Sequence, residues 1–326
     1  MLDVNLLRST AAVLIFAATL DYLLGDPWGW PHPVQSMGWI IQRYTQTALR
    51  SFIRPWQLRA AGMWLGLILI GGTGFLSWWF LVWVQTWSWA LGLLLEIVLL
   101  ASCFAGRSLR HAAEDVLAPL ADDDLLEARS HLRNYVGRDT DQLSREDILR
   151  AVLETVTENA TDGVMAPLFY AILGSFIPGV GPVPLALAYK AASTLDSMVG
   201  YREAPYTHLG WFSARLEDGL TWIPCRLAVL TLGILSGKLL RVLQLCRRDA
   251  SKDPSPNAGW SECAYAAVLD VRLGGANWYR GVLKKKPFLG DPLQPITSVQ
   301  INLALRLMRN SFLLWLSLAL ILDLIV

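Results

Sequence analysis

The sequence is poor in charge. Of its 326 residues, 17% are Asp, Glu, Lys or Arg and 54% are hydrophobic, where soluble domains carry about 25% charged residues. That deficit argues against an ordinary soluble domain. Neither sign of charge is in excess. The net charge is +1, so there is no basic footprint for nucleic acid. Cysteine is scarce as well: Cys103, Cys225, Cys246 and Cys263 are scattered and form no C-x-x-C pair. They suggest neither a zinc site nor a disulfide framework. Phosphate cradles are missing too. There is no G-x-x-x-x-G-K-[ST] loop, and Gly233-Ile-Leu-Ser-Gly-Lys238 has the wrong spacing within an apolar run. No G-x-G-x-x-G follows a strand, and no G-x-S-x-G occurs. Period-two alternation is rare, so the expected fold class is all-α.

What the chain has instead is long apolar runs. Ala60 to Val84 carries no charge, and a hydrocarbon core is crossed by about 20 helical residues. Fifteen Trp residues, several flanking such runs, suit interfacial belts. These features predict a polytopic α-helical membrane protein, a single integral membrane domain over residues 1–326. Its polar segments are expected on the cytoplasmic side at about 25–59, 107–162 and 246–309. The first apolar run ends in Asp21-Tyr-Leu-Leu-Gly-Asp26 rather than a small-residue cleavage site, and is expected to stay as an anchor. Trp89–Gly106 reads as a second helix after a very short turn, with Glu96 inside it. Gly62 and Gly66 suit close helix packing. The uncharged run Gly163–Tyr189 is broken by Pro178-Gly-Val-Gly-Pro-Val-Pro184, which predicts a re-entrant hairpin, allowed at depth only inside protein or a wet cavity. The number of crossings stays open. A re-entrant hairpin returns Lys190–Arg215 to the side of the earlier loops but moves Arg241–Arg309 across.

The chemistry is organised around Glu154-Thr-Val-Thr-Glu-Asn-Ala-Thr-Asp162. Its acids fall four residues apart and share one helix face. Ser144-Arg-Glu-Asp147 has the capping-box shape that starts this helix. The acids make either a solvated helix face or, at the edge of an apolar segment and only partly neutralised by Arg150 one turn earlier, a face that holds a cation. Around them stand the acids Asp26, Asp196, Asp218 and Asp291 and the cations His32, Arg138, Lys190, Arg202 and Arg226. Acids of this kind suit Mg²⁺, and the cations suit phosphate or carboxylate. His32 is either a general base or a loop-ordering hydrogen bonder between Pro31 and Pro33. Asp26 and Asp291 are either ligands or turn caps. Asn257 either binds an amide of a ligand or fixes its own turn. Residues alone therefore give a membrane protein with a polar, phosphate-handling site, which a transporter would share.

Several stretches resemble one family. These are Asp21-Tyr-Leu-Leu-Gly-Asp-Pro27 with Pro31-His-Pro-Val34, Gly137-Arg-Asp-Thr140, Arg150 to Tyr170, Tyr189-Lys-Ala-Ala-Ser-Thr-Leu-Asp-Ser-Met-Val-Gly-Tyr-Arg202, Pro254-Ser-Pro-Asn-Ala-Gly-Trp260 and Arg272-Leu-Gly-Gly275. Together, and in this order, they resemble the adenosylcobinamide-phosphate synthases of cobalamin biosynthesis. The resemblance implies a multi-pass enzyme of the bacterial inner membrane with its active site on the cytoplasmic side. It implies that the free propionate of adenosylcobyric acid is joined to (R)-1-amino-2-propanol, or its O-phosphate, as an amide. ATP is the cosubstrate and Mg²⁺ the metal, and other corrinoid-assembly enzymes are possible partners. On that reading Glu158, Asp162, Asp196 and Asp218 bind Mg²⁺, and Glu154, within reach of Arg150, is structural. Glu158, Asp162, His32 and Lys190 are the catalytic candidates. Arg138, Arg202, Arg226, Asn257 and Asp26 bind substrate or phosphate. The family usually has Asn where this chain has Thr221, and Gly where it has Asp270. The rival readings are a membrane regulator related to β-lactamase induction proteins, and an anion transporter. The broken segment favours the transporter, but no inverted pair of such segments accompanies it.

Overall fold

The structure is a computed structural model that describes residues 10–25 and 32–325; Asp26 lies outside them. The chain divides into two compact units. The first comprises Met1–Ala105, Ala166–Thr221 and Trp315–Val326, the second Gly106–Met165 and Trp222–Leu314.

The first unit is assembled on one small-residue helix. It contains α1 (Thr10–Leu23), α2 (Pro33–Ser51), α3 (Pro55–Trp87), α4 (Trp89–Ala101), α8 (Ala166–Ser175) and α9 (Pro182–Val199). It also takes the first part of α10 (Trp211–Leu235) and the end of α13 (Ser298–Ile325). Helix α9 buries Ala186, Ala191, Ala192 and Leu195, and α1, α2, α3, α4 and α8 all pack on it. Small side chains make that close approach possible. Among the described residues three helices are long and apolar enough to cross a membrane: Pro55–Trp87, Trp211–Leu235 and Ser298–Ile325. A broken pair, Trp89–Ala101 with Gly106–Ala121, makes a fourth if it counts as one span. The chain is thus a helical membrane protein, as its composition requires.

Local chemistry explains where these helices stop. Pro55 occupies the first turn of α3, where its missing N–H is no loss. Ser88 ends α3, and its Oγ accepts from Leu91 N at 3.3 Å to start α4. The expected short turn is therefore a single residue. Glu96 on α4 accepts from Gln85 Nε2 of α3 at 2.9 Å, so this intramembrane acid has a partner. Helix α4 ends at Ala101, short of the Gly106 read from sequence. The break at Pro178–Pro184 is also as expected. The 10 residues of α8 span about 15 Å, half of a hydrocarbon core of about 30 Å. The turn that follows is anchored by Trp78 Nε1, which donates to Gly179 O at 2.7 Å. At Gly62 a Cβ would stand 1.8 Å from Leu209 O, and at Gly66 2.7 Å from the Phe212 ring, so the first glycine marks a backbone contact and the second a packed ring.

The second unit holds α5 (Gly106–Ala121), α6 (Leu125–Leu132), α7 (Arg145–Ala160), α11 (Leu239–Asp249) and α12 (Ala258–Leu269). Beside them lies an antiparallel hairpin of β1 (Leu273–Tyr279) and β2 (Val282–Leu289). The all-α expectation holds for the class and misses this ribbon. Most of Lys284–Pro292, inside the expected polar segment 246–309, is its second strand. The second strand, buried only at Leu289, shows no alternation, and Pro287 argues against a strand except at an edge. Its turn residues Arg280 and Gly281 both have positive φ, 51° and 75°, the tight hairpin geometry.

Asp139 holds that turn. Its carboxylate accepts from Arg280 N at 2.9 Å and Gly281 N at 2.8 Å, and its own N–H donates to Trp278 O at 2.8 Å. Asp139→Ala should therefore destabilise the hairpin by about 1–3 kcal/mol. Hydrogen exchange should show it as lost protection confined to β1 and β2; unchanged exchange there would contradict the clamp.

Candidate functional site

Helix α7 carries the acidic face and begins as its sequence predicts, with Ser144 Oγ accepting from Asp147 N at 3.1 Å. It does not run on as α-helix. Residues Thr161–Met165 form a π turn, a wider turn common at functional sites. Ser261 of α12 takes the Thr157 carbonyl at 2.6 Å and accepts from Thr161 Oγ1 at 2.8 Å. Asp162 and Gly163 sit inside this turn.

Glu154 is 1% exposed, and its structural role is clear, with a different partner from the one expected. Arg138 Nη2 donates to Glu154 Oε2 at 2.5 Å, and Gly274 N donates to Oε1 at 2.9 Å. Arg150 instead reaches Asp147 Oδ1 at 2.9 Å, Gly274 O at 2.6 Å and Asn277 Oδ1 at 3.2 Å. Arg138 also donates to Asn277 at 3.0 Å and is 8% exposed. Its guanidinium is engaged by a buried carboxylate.

Beside this network lies a cluster that sequence reading missed. Glu262 on α12 is wholly buried. Lys286 Nζ of β2 stands 3.5 Å from Glu262 Oε1 and 3.8 Å from Glu158 Oε2. Burial pushes the Glu262 carboxyl well above its usual range, Lys286 opposes this, and Glu158, Glu154 and Asp253 add to it. Burial disfavours the Lys286 ammonium, but those same four carboxylates outweigh it and hold its pKa up. Glu262 escaped notice because it stands alone in Ala258-Gly-Trp-Ser-Glu-Cys-Ala264, far in sequence from the other acids. Lys286 escaped because its register on an unforeseen strand points it at them.

The Pro254–Trp260 segment is a cap for α12. Ser255 Oγ accepts from Ala258 N at 3.1 Å and Asn257 N at 3.3 Å. Asn257 is 2% exposed, and its Oδ1 accepts from Arg226 Nη1 at 3.2 Å. Arg226 also donates to Pro256 O at 2.9 Å and lies over the Trp222 and Trp260 rings at 5.2 and 4.4 Å. This stacking on two indoles favours a fixed cation. Asp291 pairs with Arg248 at 2.8 Å. Asp270 has φ 60° at the end of α12, a position that suits Gly, and it gains Lys238 at 2.6 Å and Arg241 at 2.9 Å.

Within the first unit, Asp196, Glu217 and Asp218 stand within electrostatic reach of one another, and Arg202 and Arg215 act on Asp218. Asp196 Oδ1 is buried and has no hydrogen-bond partner among the described residues. Thr221, in the Asn position of the family, hydrogen-bonds Glu217 and lies 2.8 Å from the Tyr189 hydroxyl. The Tyr189 ring stacks on Tyr170 at 5.0 Å. Lys190 is half-buried on α9. His32 Nδ1 accepts from Val34 N at 3.2 Å as the N-cap of α2. Glu158 and Asp162 lie in the second unit; Lys190, Asp196, Arg202 and Asp218 lie in the first. Among the described residues no group of three or more His, Cys, Asp or Glu is placed as a ready-made metal cage. All four cysteines are free and buried.

A helical membrane protein with a charged, hydrogen-bonded second unit is the class these features define. Comparison with known proteins places it further. The CobD/Cbib protein family matches residues 14–308. The chain is 52% identical over 312 residues to the cobalamin biosynthesis protein CobD of Synechocystis sp., covering 95% of this chain and 91% of that one. It is 40% identical over 296 residues to the cobalamin biosynthesis protein CbiB of Salmonella typhimurium, covering 90% and 91%. It is also 40% identical over 306 residues to CobD of Halalkalibacterium halodurans, covering 92% of each. No solved structure matches. The chain belongs to the CobD/CbiB family of cobalamin biosynthesis proteins.

Proposed function

We propose that this chain is the amide-forming ligase of that pathway. It would join (R)-1-amino-2-propanol or its O-phosphate to the free propionate of adenosylcobyric acid, with ATP and Mg²⁺, on the cytoplasmic side of the bacterial inner membrane. One observation carries the reading. Stretches that bear the family resemblance converge in the second unit on a single hydrogen-bonded centre: Arg138, Arg150 with Glu154, and Gly274 are directly bonded, and Glu158 opens beside them toward Lys286.

The chemistry suits that centre. A carboxylate is a poor electrophile at neutral pH, and ATP supplies its activation as an acyl phosphate. Mg²⁺ favours oxygen ligands and often binds through one or two carboxylates plus substrate phosphates. Glu158, 42% exposed, and Asp162 on the π turn fit that donor set. Arg226, fixed by Asn257 and two indoles, keeps further N–H groups for an anion. In the first unit Lys190 and Arg202 are the proposed anion donors. Asp196, with its unpartnered Oδ1, and Asp218 are the proposed cation ligands there.

The test is reconstitution. Purified protein in lipid nanodiscs would be given adenosylcobyric acid, Mg²⁺-ATP and either amine, with mass spectrometry for the amide. No amide with either amine, from folded protein, overturns the reading. Glu158→Gln should raise the Mg²⁺ concentration for half-maximal rate by at least about tenfold. An unchanged Mg²⁺ dependence at full activity removes Glu158 from the metal.

A further inference from the structure

The chain that leads into the first long span carries cations without acids. Arg43 and Arg50 lie on α2, Arg54 on the corner that follows it and Arg59 near the start of α3, and no Asp or Glu occurs from residue 33 to residue 59. All four arginines are exposed, and none has an ion-pair partner among the described residues. Helix α2 shows which way its cations face. It buries Met37, Ile41, Thr45 and Ala48. Trp39, Arg43, Gln46 and Arg50, spaced as one helix face, stay on the outside. The Arg43 guanidinium lies over the exposed Trp39 ring at 5.8 Å. At the corner Ile53 is 91% exposed, and Trp56 is exposed beside it. Indoles and an isoleucine left in the open among arginines are the composition of an interfacial element.

The fold also fixes the depth of this face. Helix α3 has 33 residues, about 50 Å, against a hydrocarbon core of about 30 Å. Its uncharged run starts at Ala60, so Pro55–Arg59 stands outside the core. Tyr44 Oη of α2 donates to Ala61 O of α3 at 3.0 Å, and Ala48 packs with Leu58, Ala61 and Leu209. Helix α2 is thereby tied to α3 at the level where the apolar span begins. Its outer face does not enter hydrocarbon, because Gln42, Arg43, Gln46 and Arg50 would lose their water there without gaining partners.

We propose that the outer face of α2, the Phe52–Arg54 corner and the first turn of α3 dock on the headgroups of anionic phospholipids. Arg43, Arg50, Arg54 and Arg59 take the phosphates, and Trp39, Ile53 and Trp56 enter the boundary between headgroups and acyl chains. Continuity and charge identify the occupant. The bilayer that surrounds α3 already reaches this corner, and a surface with four cations and no acid complements an anionic leaflet. The docking is independent of the ligase reading and uses none of its residues.

The full chain in nanodiscs of equal phosphatidylglycerol and phosphatidylcholine tests this, with native mass spectrometry counting the lipids it retains. Wild type should retain phosphatidylglycerol in preference. Arg43→Gln, Arg50→Gln and Arg54→Gln should each lower that preference about two- to fivefold, and the triple variant about tenfold or more. Lysine at the same three positions should keep it. Arg145→Gln, which removes an exposed cation of α7 paired with Asp123, should leave it unchanged. Raising salt from about 0.05 to about 0.5 M should weaken it. Equal retention of the two lipids by wild type, or an unchanged preference in the triple variant, overturns the surface. Should the triple variant fail to fold, the single variants decide, and an unchanged preference in all three overturns it. Loss of the preference to millimolar inorganic phosphate at constant ionic strength would mean that the arginines hold a free anion instead, and overturns it too.

Discussion

Arg138→Met should destabilise the second unit by about 3–5 kcal/mol, the usual consequence of leaving one partner of a buried ion pair behind. The pair is 7% and 1% exposed at its two side chains, so water cannot replace the lost guanidinium around Glu154. Asn277 loses a donor at the same time. The effect should be lost charge compensation rather than lost volume, because Met fills much of the same space. Arg138→Met with Glu154→Gln distinguishes the two causes. The amide introduced by Glu154→Gln keeps an acceptor for Gly274 N without a charge, so the double variant should recover most of the loss. Thermal unfolding in nanodiscs, with hydrogen exchange along α7 and β1, reads both. A double variant no more stable than Arg138→Met would mean that packing, not charge, dominates. Full amide formation by a stable Arg138→Met protein would also agree with a role remote from phosphate.

The parts legible in the sequence are those set by short-range chemistry. Ala60–Val84 announces a span, and the structure extends it to Pro55–Trp87 because a proline start and a serine stop lie just outside the uncharged run. Pro178–Pro184 announces the break between α8 and α9. Gly62 announces a close contact, though not that Leu209 makes it. What stayed hidden depends on long-range pairing. The acids of α7 were legible as one face, but the partner of Glu154 was assigned to the nearest cation, Arg150. The true partner, Arg138, arrives from a turn whose position is fixed by Asp139 holding the β-hairpin. That hairpin was itself invisible, since its lysine-rich second strand has almost no buried face to impose alternation. Lys286 and Glu262 were hidden with it. The helix start at Ser298 falls inside the expected polar segment 246–309 for another reason: Arg306 and Arg309 interrupt the apolar run with charge.

Gly274→Ala should be more damaging than Gly281→Ala, although both glycines sit in the same hairpin with similar backbone angles, φ 85° and 75°. The left-handed conformation alone costs a non-glycine residue about 1–2 kcal/mol, and Gly281→Ala should show no more than that, because a Cβ there meets nothing within 4 Å. At Gly274 a Cβ would stand 2.0 Å from Pro287 O and 2.9 Å from Pro287 C. Backbone cannot swing aside as a side chain can, so the strands must part. Overpacking of this kind adds about 1–3 kcal/mol, for a total of about 2–5 kcal/mol. The displacement also reaches the charged centre. Gly274 N donates to Glu154 and Gly274 O accepts from Arg150, while Lys286 lies on the opposing strand, paired with Gly275. Gly274→Ala should therefore lose both stability and amide formation in the proposed reaction, and Gly281→Ala stability alone. Paired thermal unfolding and amide-formation assays of the two variants measure this difference. Equal losses in both would show that backbone strain, not the contact with Pro287, makes Gly274 necessary.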